Sequence, residues 1–317
     1  MIIYILFILG FAILIKGADM LVDGSSSLAR RFGISDIVIG LTIVSMGTSA
    51  PELVVNVIAS LNGNSEIAVG NILGSNIVNI FFILGISAVI FPLTVKRNTT
   101  YKEIPFALLA SLVILFLCND MLFDYEDKAV LSTGDGLVLL GFFSIFIYYI
   151  FAIAKAETPV ESDVAPMPLP KAVLFIAIGL IGLVLGGKWI VDGAVVMASG
   201  MGVSESLIGL TIVAIGTSLP ELATSAVAAY KKNTDIAIGN VVGSNIFNSF
   251  WILGFSALIN PIPVLQRNNI DFAMNILASV LLFAFLFIGK RHMLERWQGV
   301  AFILVYIAYV VYLVQLG

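Results

Sequence analysis

Residues 47–52 of this chain read GTSAPE, and residues 216–221 read GTSLPE. The two hexapeptides lie 169 residues apart, and at this offset residues 33–92 align with residues 202–261 without a gap, with roughly half of the positions identical. A fixed internal period indicates repeated structural units, and two merely apolar segments would not share a Pro-Glu pair by chance. We therefore predict that the chain contains two copies of one unit.

The rest of the chain is too apolar for a soluble domain. Hydrophobic residues make up 60% of the 317 residues and charged residues 11%, against roughly 45–50% and about 25% in soluble domains. A transmembrane helix needs about 20 mostly apolar residues, so a chain of this length with short loops holds about ten. The apolar runs predict ten transmembrane helices, near residues 2–22, 34–60, 66–91, 104–119, 134–154, 171–192, 203–229, 235–260, 270–289 and 297–315.

A proline-rich stretch at residues 155–170 divides these spans into two groups of five. We interpret residues 1–154 as the first five-helix repeat, residues 155–170 as a linker, and residues 171–317 as the second repeat. Because five is odd, the second repeat must cross the membrane in the opposite direction. The predicted fold is an all-α membrane protein with ten transmembrane helices in two inverted five-helix repeats. Inverted repeats with paired broken helices are typical of secondary transporters whose site lies at mid-membrane.

The loops on one side of the membrane carry almost all of the basic residues. The loops after the odd-numbered spans contain Arg30, Arg31, Lys96, Arg97, Lys102, Lys155, Lys171, Lys231, Lys232, Lys290, Arg291 and Arg296, and those after the even-numbered spans contain only Lys128 and Arg267. Basic loops face the cytoplasm. The prediction is a multi-pass protein of the cell membrane with a cytoplasmic linker and both termini outside.

Glu52 and Glu221 are predicted to lie in the middle of spans 2 and 7. An ionised carboxylate at this depth is costly and marks a functional site unless it is paired with a base. Neither residue has a basic neighbour in its own span, although Lys16 or Lys188 could pair with one across helices. That structural alternative stays open at this stage.

The prolines beside the two glutamates are predicted to break both helices. Pro51 has no N–H to donate to the carbonyl of residue 47, and its ring opens that turn; Pro220 does the same in the second copy. Carbonyls freed in this way are tolerated in a membrane only where something binds them, and a cation can. Polar side chains recur at helical spacing around both breaks. They are Ser45, Thr48, Ser49, Glu52 and Asn56, then Asn71, Ser75 and Asn79, and Asn240, Ser244 and Asn248.

All of these candidate ligands are oxygen donors. Ca2+ takes six to eight oxygen ligands in a flexible cage, whereas Mg2+ requires a tighter octahedron. The single Cys118 and the single His292 argue against soft or borderline metals, which prefer thiolate and imidazole. Two carboxylates balance one Ca2+ or a few monovalent ions, so one set of ligands could hold either load but not both.

The paired motifs GTSxPE and GNxxGSNIxN resemble the alpha repeats of the Ca2+/cation antiporter superfamily, in its Na+/Ca2+ exchanger branch. The resemblance implies alternating access, with the first and sixth helices sliding over a core of spans 2, 3, 7 and 8. It implies that Glu52 and Glu221 bind Ca2+ with the carbonyls of Thr48 and Thr217. It also implies outer Na+ sites, formed by Ser49, Ser75, Ser218 and Ser244 with the carbonyls of Ser45 and Ala214.

The chain departs from part of this superfamily at one position. Some relatives, including potassium-using ones, have Asp where this chain has Asn248, and here both Asn79 and Asn248 are amides. We therefore expect exchange that does not require K+.

The predicted function is a secondary antiporter that exchanges Ca2+ for Na+ electrogenically. A Ca2+/H+ antiporter of the same fold is the main alternative, with protons titrating Glu52 and Glu221. A cation channel would need a continuous polar path, but the polar residues cluster at mid-depth. No nucleophile–base pair or cofactor motif indicates an enzyme, and no basic region indicates nucleic acid. The expected partners are the inorganic cations and the lipid bilayer, with no cofactor and no protein partner implied.

Overall fold

The computed structural model describes residues 2–64, 66–119, 129–156, 166–201, 214–266 and 268–316. Within these ranges eight helices are long and apolar enough to cross a membrane, and one bent pair of helices forms a ninth span. The nine spans in these ranges are α1 (Ile2–Phe32), α2 (the bent pair Asp36–Thr48 and Ala50–Leu61), α3 (Ile67–Ile90), α4 (Thr99–Leu117), α5 (Thr133–Lys155), α6 (Leu169–Gly200), α8 (Thr234–Ile259), α9 (Asn268–Phe285) and α10 (Arg296–Gln315). The helix α7 (Leu219–Tyr230) has only 12 residues and is the described part of the predicted seventh span.

The order of these helices confirms the all-α fold class. The predicted seventh span begins at residue 203, outside the described ranges. In its described part, the short helical turn Ala214–Gly216 precedes α7. Most of the predicted linker and residues 120–128 of the loop after the fourth span also lie outside the described ranges. The boundaries of the two repeats at residues 154 and 171 stay a prediction.

Two helices extend eight residues or more beyond their predicted ends. The first, α1, continues ten residues beyond the predicted end at residue 22, and α6 continues eight residues beyond residue 192. The apolar run of α1 stops at a serine triplet, residues 25–27, but these serines are buried against protein. Ser27 Oγ accepts a hydrogen bond from the N–H of Met167 at 2.6 Å. Hydropathy marks where a helix touches lipid, so it underestimates a helix whose last turns pack on protein.

Glycines bring α1 and α6 into close contact. A Cβ added to Gly17 would lie 2.8 Å from the carbonyl oxygen of Gly179, and one added to Gly179 would lie 2.8 Å from that of Gly17. The pair Gly10 and Gly186 makes an equally close contact one heptad away. Small residues allow transmembrane backbones to approach in this way, so α1 and α6 form one closely packed antiparallel pair.

The centre of the molecule is formed by α3 and α8, which are the most buried of the spans. Each contains a π-helical segment, Val78–Leu84 in α3 and Phe247–Ile252 in α8. A further π-helical segment, Gly40–Val44, lies in the first part of α2, where Gly40 packs on Gly239 of α8. Such segments interrupt the regular helix and occur frequently at functional sites.

Four short strands, which the sequence did not predict, connect loops of the two halves. Leu93–Thr94 (β1) pairs antiparallel with Met293–Leu294 (β4). Ala129–Leu131 (β2) pairs antiparallel with Ile262–Val264 (β3). Each pair joins loops that the alternation of spans assigns to one side of the membrane: β1 and β4 follow odd-numbered spans, and β2 and β3 follow even-numbered ones.

Candidate functional site

The candidate site lies where α2 and α7 are interrupted. The two parts of α2 meet at a bend of 46°, and Ser49 at the bend has φ −81° and ψ 7°, outside the helical region. Ser218 has nearly the same conformation, φ −88° and ψ 4°, at the start of α7. Pro51 and Pro220 each occupy the first turn of the helix that follows, where a missing N–H does no harm. The predicted breaks are therefore present in both halves.

The carboxylates of Glu52 and Glu221 are both fully buried, and each is bonded by serines from both halves. Glu52 Oε1 accepts hydrogen bonds from Ser75 Oγ and Ser218 Oγ, both at 3.4 Å. Glu221 Oε1 accepts hydrogen bonds from Ser49 Oγ at 2.8 Å and Ser244 Oγ at 3.4 Å. Since residues 49 and 218, and residues 75 and 244, differ by the repeat offset of 169, the arrangement has an approximate twofold symmetry.

No basic side chain in the described part of the chain pairs with either glutamate. Lys16 bonds to Asp19 at 2.5 Å, and Lys188 bonds to Asp192 at 2.9 Å, both within their own helices. The alternative that Glu52 or Glu221 is one half of a buried ion pair is therefore wrong for these two lysines. Two buried carboxylates without a basic partner are costly unless another positive charge compensates them.

Four buried carboxylate and amide oxygens of the predicted ligands have no hydrogen-bond partner among the described residues. They are Oε2 of Glu52, Oε2 of Glu221, Oδ1 of Asn79 and Oδ1 of Asn248. Buried polar atoms are nearly always satisfied, so each exception needs an explanation. All four atoms are acceptors that can bind a metal ion, and the set is two carboxylates and two amide oxygens. This donor chemistry suits a hard cation such as Ca2+ or Na+.

Of the remaining predicted residues, Ser45 contacts a serine and a threonine around this group. Ser45 lies one turn before the bend, and its main-chain carbonyl accepts hydrogen bonds from Thr48 Oγ1 at 3.3 Å and Ser244 Oγ at 3.4 Å. Ala214 begins the short turn before α7. Asn56, which the polar stripe included, instead bonds the main-chain carbonyl of Glu52 at 2.8 Å. Asn56 therefore supports the helix beside the carboxylate.

The two halves differ around one threonine–asparagine pair. Thr48 Oγ1 donates to Asn240 Oδ1 at 3.0 Å, and Asn240 Nδ2 donates to Ser225 Oγ at 2.9 Å. The equivalent residues in the other half are Thr217 and Asn71. Thr217 Oγ1 and Asn71 Nδ2 have no partner in the described ranges. One of two equivalent contacts is thus closed and the other is open.

Sequence reasoning missed two features of the site: the π-helical segments that carry Asn79 and Asn248, and the two asparagines that bond to them. Asn79 and Asn248 lie at the second position of their π-helical segments, and no residue pattern signals such a segment. The amides of Asn76 and Asn245 bond to Asn248 and Asn79, respectively. The second feature had a signal, since both residues belong to the repeated GSNIxN motif. In the described residues no group of three or more His, Cys, Asp or Glu side chains could hold a metal, so neutral oxygens must supply most of any ligand set.

Comparisons with known proteins agree with this geometry. The family model for sodium/calcium exchanger proteins matches residues 2–152 and 171–315. The inner membrane protein YrbG of Escherichia coli is 39% identical over 87% of this chain and 86% of its own length. The sodium/calcium exchanger MaX1 of Methanosarcina acetivorans is 29% identical over 98% of both chains. A structure of the sodium-calcium exchanger NCX_Mj soaked with Na+ and Ca2+ superposes with a TM-score of 0.82, at 34% identity and covering 98% of both chains.

Proposed function

This chain belongs to the sodium/calcium exchanger protein family, and we propose that it exchanges Ca2+ for Na+ through the site between α2, α3, α7 and α8. As the motifs predicted, the chain is a multi-pass membrane transporter and not an enzyme. The observation that carries the proposal is the pair of buried carboxylates, Glu52 and Glu221, which have no basic partner among the described residues and leave one oxygen each unbonded.

Charge balance explains how one site can serve two ions. Two carboxylates neutralise one Ca2+, and removing that ion leaves two buried negative charges that Na+ can compensate. Because both loads need the same oxygens, they exclude each other, as exchange requires. We propose that more than two Na+ replace one Ca2+. Each cycle then moves net positive charge in the direction of Na+, and the transport is electrogenic.

We propose the ligands that the family resemblance implies, and the buried oxygen donors support them. Ca2+ takes the carboxylates of Glu52 and Glu221 and the main-chain carbonyls of Thr48 and Thr217. Na+ takes the serine hydroxyls around the two carboxylates together with main-chain carbonyls from the ends of the broken helices. The two amide oxygens are further ligands in the middle of the site. The proposed Na+ and amide ligands are Ser49, Ser75, Ser218, Ser244, the carbonyls of Ser45 and Ala214, and Asn79 and Asn248.

Alternating access is supported by the unequal contacts of the two halves. The closed pair Thr48–Asn240 and the open pair Thr217–Asn71 are equivalent by the repeat. At one end of α1, Lys231 bonds Asp23 at 2.6 Å and also bonds Asp19, whereas residue 62, the equivalent of Lys231, is Asn. A transporter that opens one side at a time must hold its two halves in different states. We propose that the closely packed pair α1–α6 is the element that moves.

The counter-ion can be tested in proteoliposomes that contain the purified protein. We expect 45Ca2+ uptake when Na+ is concentrated inside and pH is equal on both sides, and no uptake when a pH gradient is the only gradient. An inside-positive potential should accelerate the Na+-driven uptake, because positive charge leaves with the excess Na+. The ionophore monensin, which collapses the Na+ gradient, is the control. Uptake that follows pH at fixed Na+ would support the Ca2+/H+ alternative, and flux with no counter-ion would indicate a channel.

We also propose that the protein lies in the cytoplasmic membrane with both termini outside. The basic loops support this orientation, and the relative YrbG of Escherichia coli is an inner membrane protein. In a Cys118→Ser background, Val160→Cys should be protected from a membrane-impermeant maleimide in intact spheroplasts. The matched variant Gln315→Cys should be labelled from outside. The reverse pattern would overturn the orientation.

A further inference from the structure

We propose that Asn76 and Asn245 are positioning residues that turn the amide oxygens of Asn79 and Asn248 towards the ions, an inference that rests on the proposed function. Neither residue is among the proposed ligands. Both are buried at the contact between α3 and α8, and they are equivalent by the repeat offset of 169.

The four amides form a network that crosses between the two halves. Asn79 Nδ2 donates to Asn245 Oδ1 at 2.9 Å, and Asn248 Nδ2 donates to Asn76 Oδ1 at 3.1 Å. Each proposed ligand amide is therefore held by the positioning amide of the opposite helix. The oxygens Oδ1 of Asn79 and Oδ1 of Asn248 are left without a partner in the described residues.

The hydrogen bonds of Asn245 determine which end of Asn79 faces the site. Asn245 Nδ2 donates to the main-chain carbonyl of Asn76 at 3.2 Å. A carbonyl can only accept, so the other end of the Asn245 amide, the end that faces Asn79, must be the oxygen. Asn79 must then present its NH2 group to that oxygen, which leaves the oxygen of Asn79 for the site. If Asn245 were removed, nothing in this contact would prevent the Asn79 amide from turning its NH2 group towards a cation.

The second pair is held by a different anchor. Asn76 Nδ2 donates to Ser249 Oγ at 3.0 Å, and the oxygen of Asn76 then receives the NH2 group of Asn248. The equivalent of Ser249 in the first half is Ile80, which has no hydroxyl. The two halves therefore use different anchors: a main-chain carbonyl, which only accepts and so fixes the orientation of Asn245, and a hydroxyl, which can donate or accept and so does not by itself fix that of Asn76. Groups that orient a metal ligand through a hydrogen bond typically change metal affinity by about 10–100-fold when they are lost.

The test is a set of double-mutant cycles on Asn-to-Leu variants, because Leu matches the size of Asn and removes the amide. The measurement is 45Ca2+/40Ca2+ self-exchange in proteoliposomes, with the half-saturating Ca2+ concentration and the half-inhibitory Na+ concentration as readouts. We expect Asn245→Leu to raise the half-saturating Ca2+ concentration, the half-inhibitory Na+ concentration, or both, by about 10-fold or more. In an Asn79→Leu background, Asn245→Leu should change either concentration by less than about twofold, because the effects of residues that act through one another are not additive.

The crossed pairing supplies the matched control. In an Asn248→Leu background, Asn245→Leu should keep its full effect, since Asn248 is held by Asn76. Likewise, Asn76→Leu should keep its full effect in an Asn79→Leu background and lose most of it in an Asn248→Leu background. Asn275→Leu, which removes another buried amide in α9, should leave both concentrations within about twofold. Additive effects in all backgrounds would overturn the inference and leave the Ca2+ site intact. No self-exchange by the unmodified protein would instead contradict the proposed function.

Discussion

Replacing either Glu52 or Glu221 with Gln is expected to abolish Ca2+ transport while the protein still inserts and folds. Each substitution removes one of the two formal charges that, in the proposed site, compensate a buried divalent ion. Two unit charges about 4 Å apart interact by about 4 kcal/mol at an effective dielectric constant of 20, which corresponds to roughly three powers of ten in affinity. The loss should therefore appear in Ca2+ binding as well as in transport.

Folding should survive because no basic residue in the described part of the chain depends on these carboxylates. A neutral amide costs less to bury than an unpaired carboxylate, so without ions each variant should be as thermally stable as the parent or more so. The parent should gain stability with added Ca2+, since a ligand that binds only the folded state stabilises it, and the variants should lose that gain.

The matched control is Glu103→Gln, the same substitution at a buried glutamate of α4. Glu103 is bonded by the hydroxyl of Tyr149, and it is not among the proposed ligands. We expect Ca2+ uptake close to that of the parent in this variant. Coupled uptake retained in Glu52→Gln or Glu221→Gln would show that the carboxylate has a structural role and would remove the basis of the proposed site.

The repeat made much of this architecture predictable from the sequence. The third span was predicted at 66–91 and found at Ile67–Ile90, because Pro92 and the polar residues before the span limit the apolar run. The breaks at Ser49 and Ser218 followed from proline chemistry. The same reasoning could not find the helical turns of α1 after residue 22, since polar residues that pack on protein look like a loop in a hydropathy pattern.

The choice of partners within the site was not predictable from spacing alone. Ser49 and Glu52 lie one turn apart and share a helix face, yet Ser49 bonds Glu221 from the other half at 2.8 Å. Spacing describes neighbours along one helix, whereas this contact depends on how α2 and α7 approach each other. The unequal contacts of the closed pair Thr48–Asn240 and the open pair Thr217–Asn71 are likewise not encoded in spacing, since the two pairs occupy equivalent positions of the repeat.

The amide at Asn248 is expected to make exchange independent of K+, and Asn248→Asp is expected to change the ion dependence more than the folding. Two carboxylates hold one Ca2+ at neutrality. A third carboxylate gives the site a charge of about −3, which suits an additional monovalent cation beside Ca2+ or, failing that, a bound proton. The substitution should therefore introduce K+ sensitivity or a new pH dependence of transport.

The structure indicates what else the new carboxylate would disturb. Asn248 now donates its NH2 group to Asn76 Oδ1 at 3.1 Å, and Asp has no such donor. The Asn76 amide would have to turn its own NH2 group towards Asp, so that its oxygen faces Ser249 Oγ and accepts from the hydroxyl to which its NH2 group now donates. Because a single amide can make this change locally, we expect a lower affinity for Ca2+ without K+ rather than an unfolded protein.

The measurement is Na+-driven 45Ca2+ flux in proteoliposomes with K+ present on both sides or replaced by choline. We expect equal rates in the two media for the unmodified protein and unequal rates, or a rate that varies with pH, for Asn248→Asp. The control Asn269→Asp adds the same charge at an exposed position at the start of α9 and should behave as the parent. If the unmodified protein stops when K+ is replaced, then the amide does not confer independence from K+, and a neutral residue at position 248 must be compatible with K+ binding.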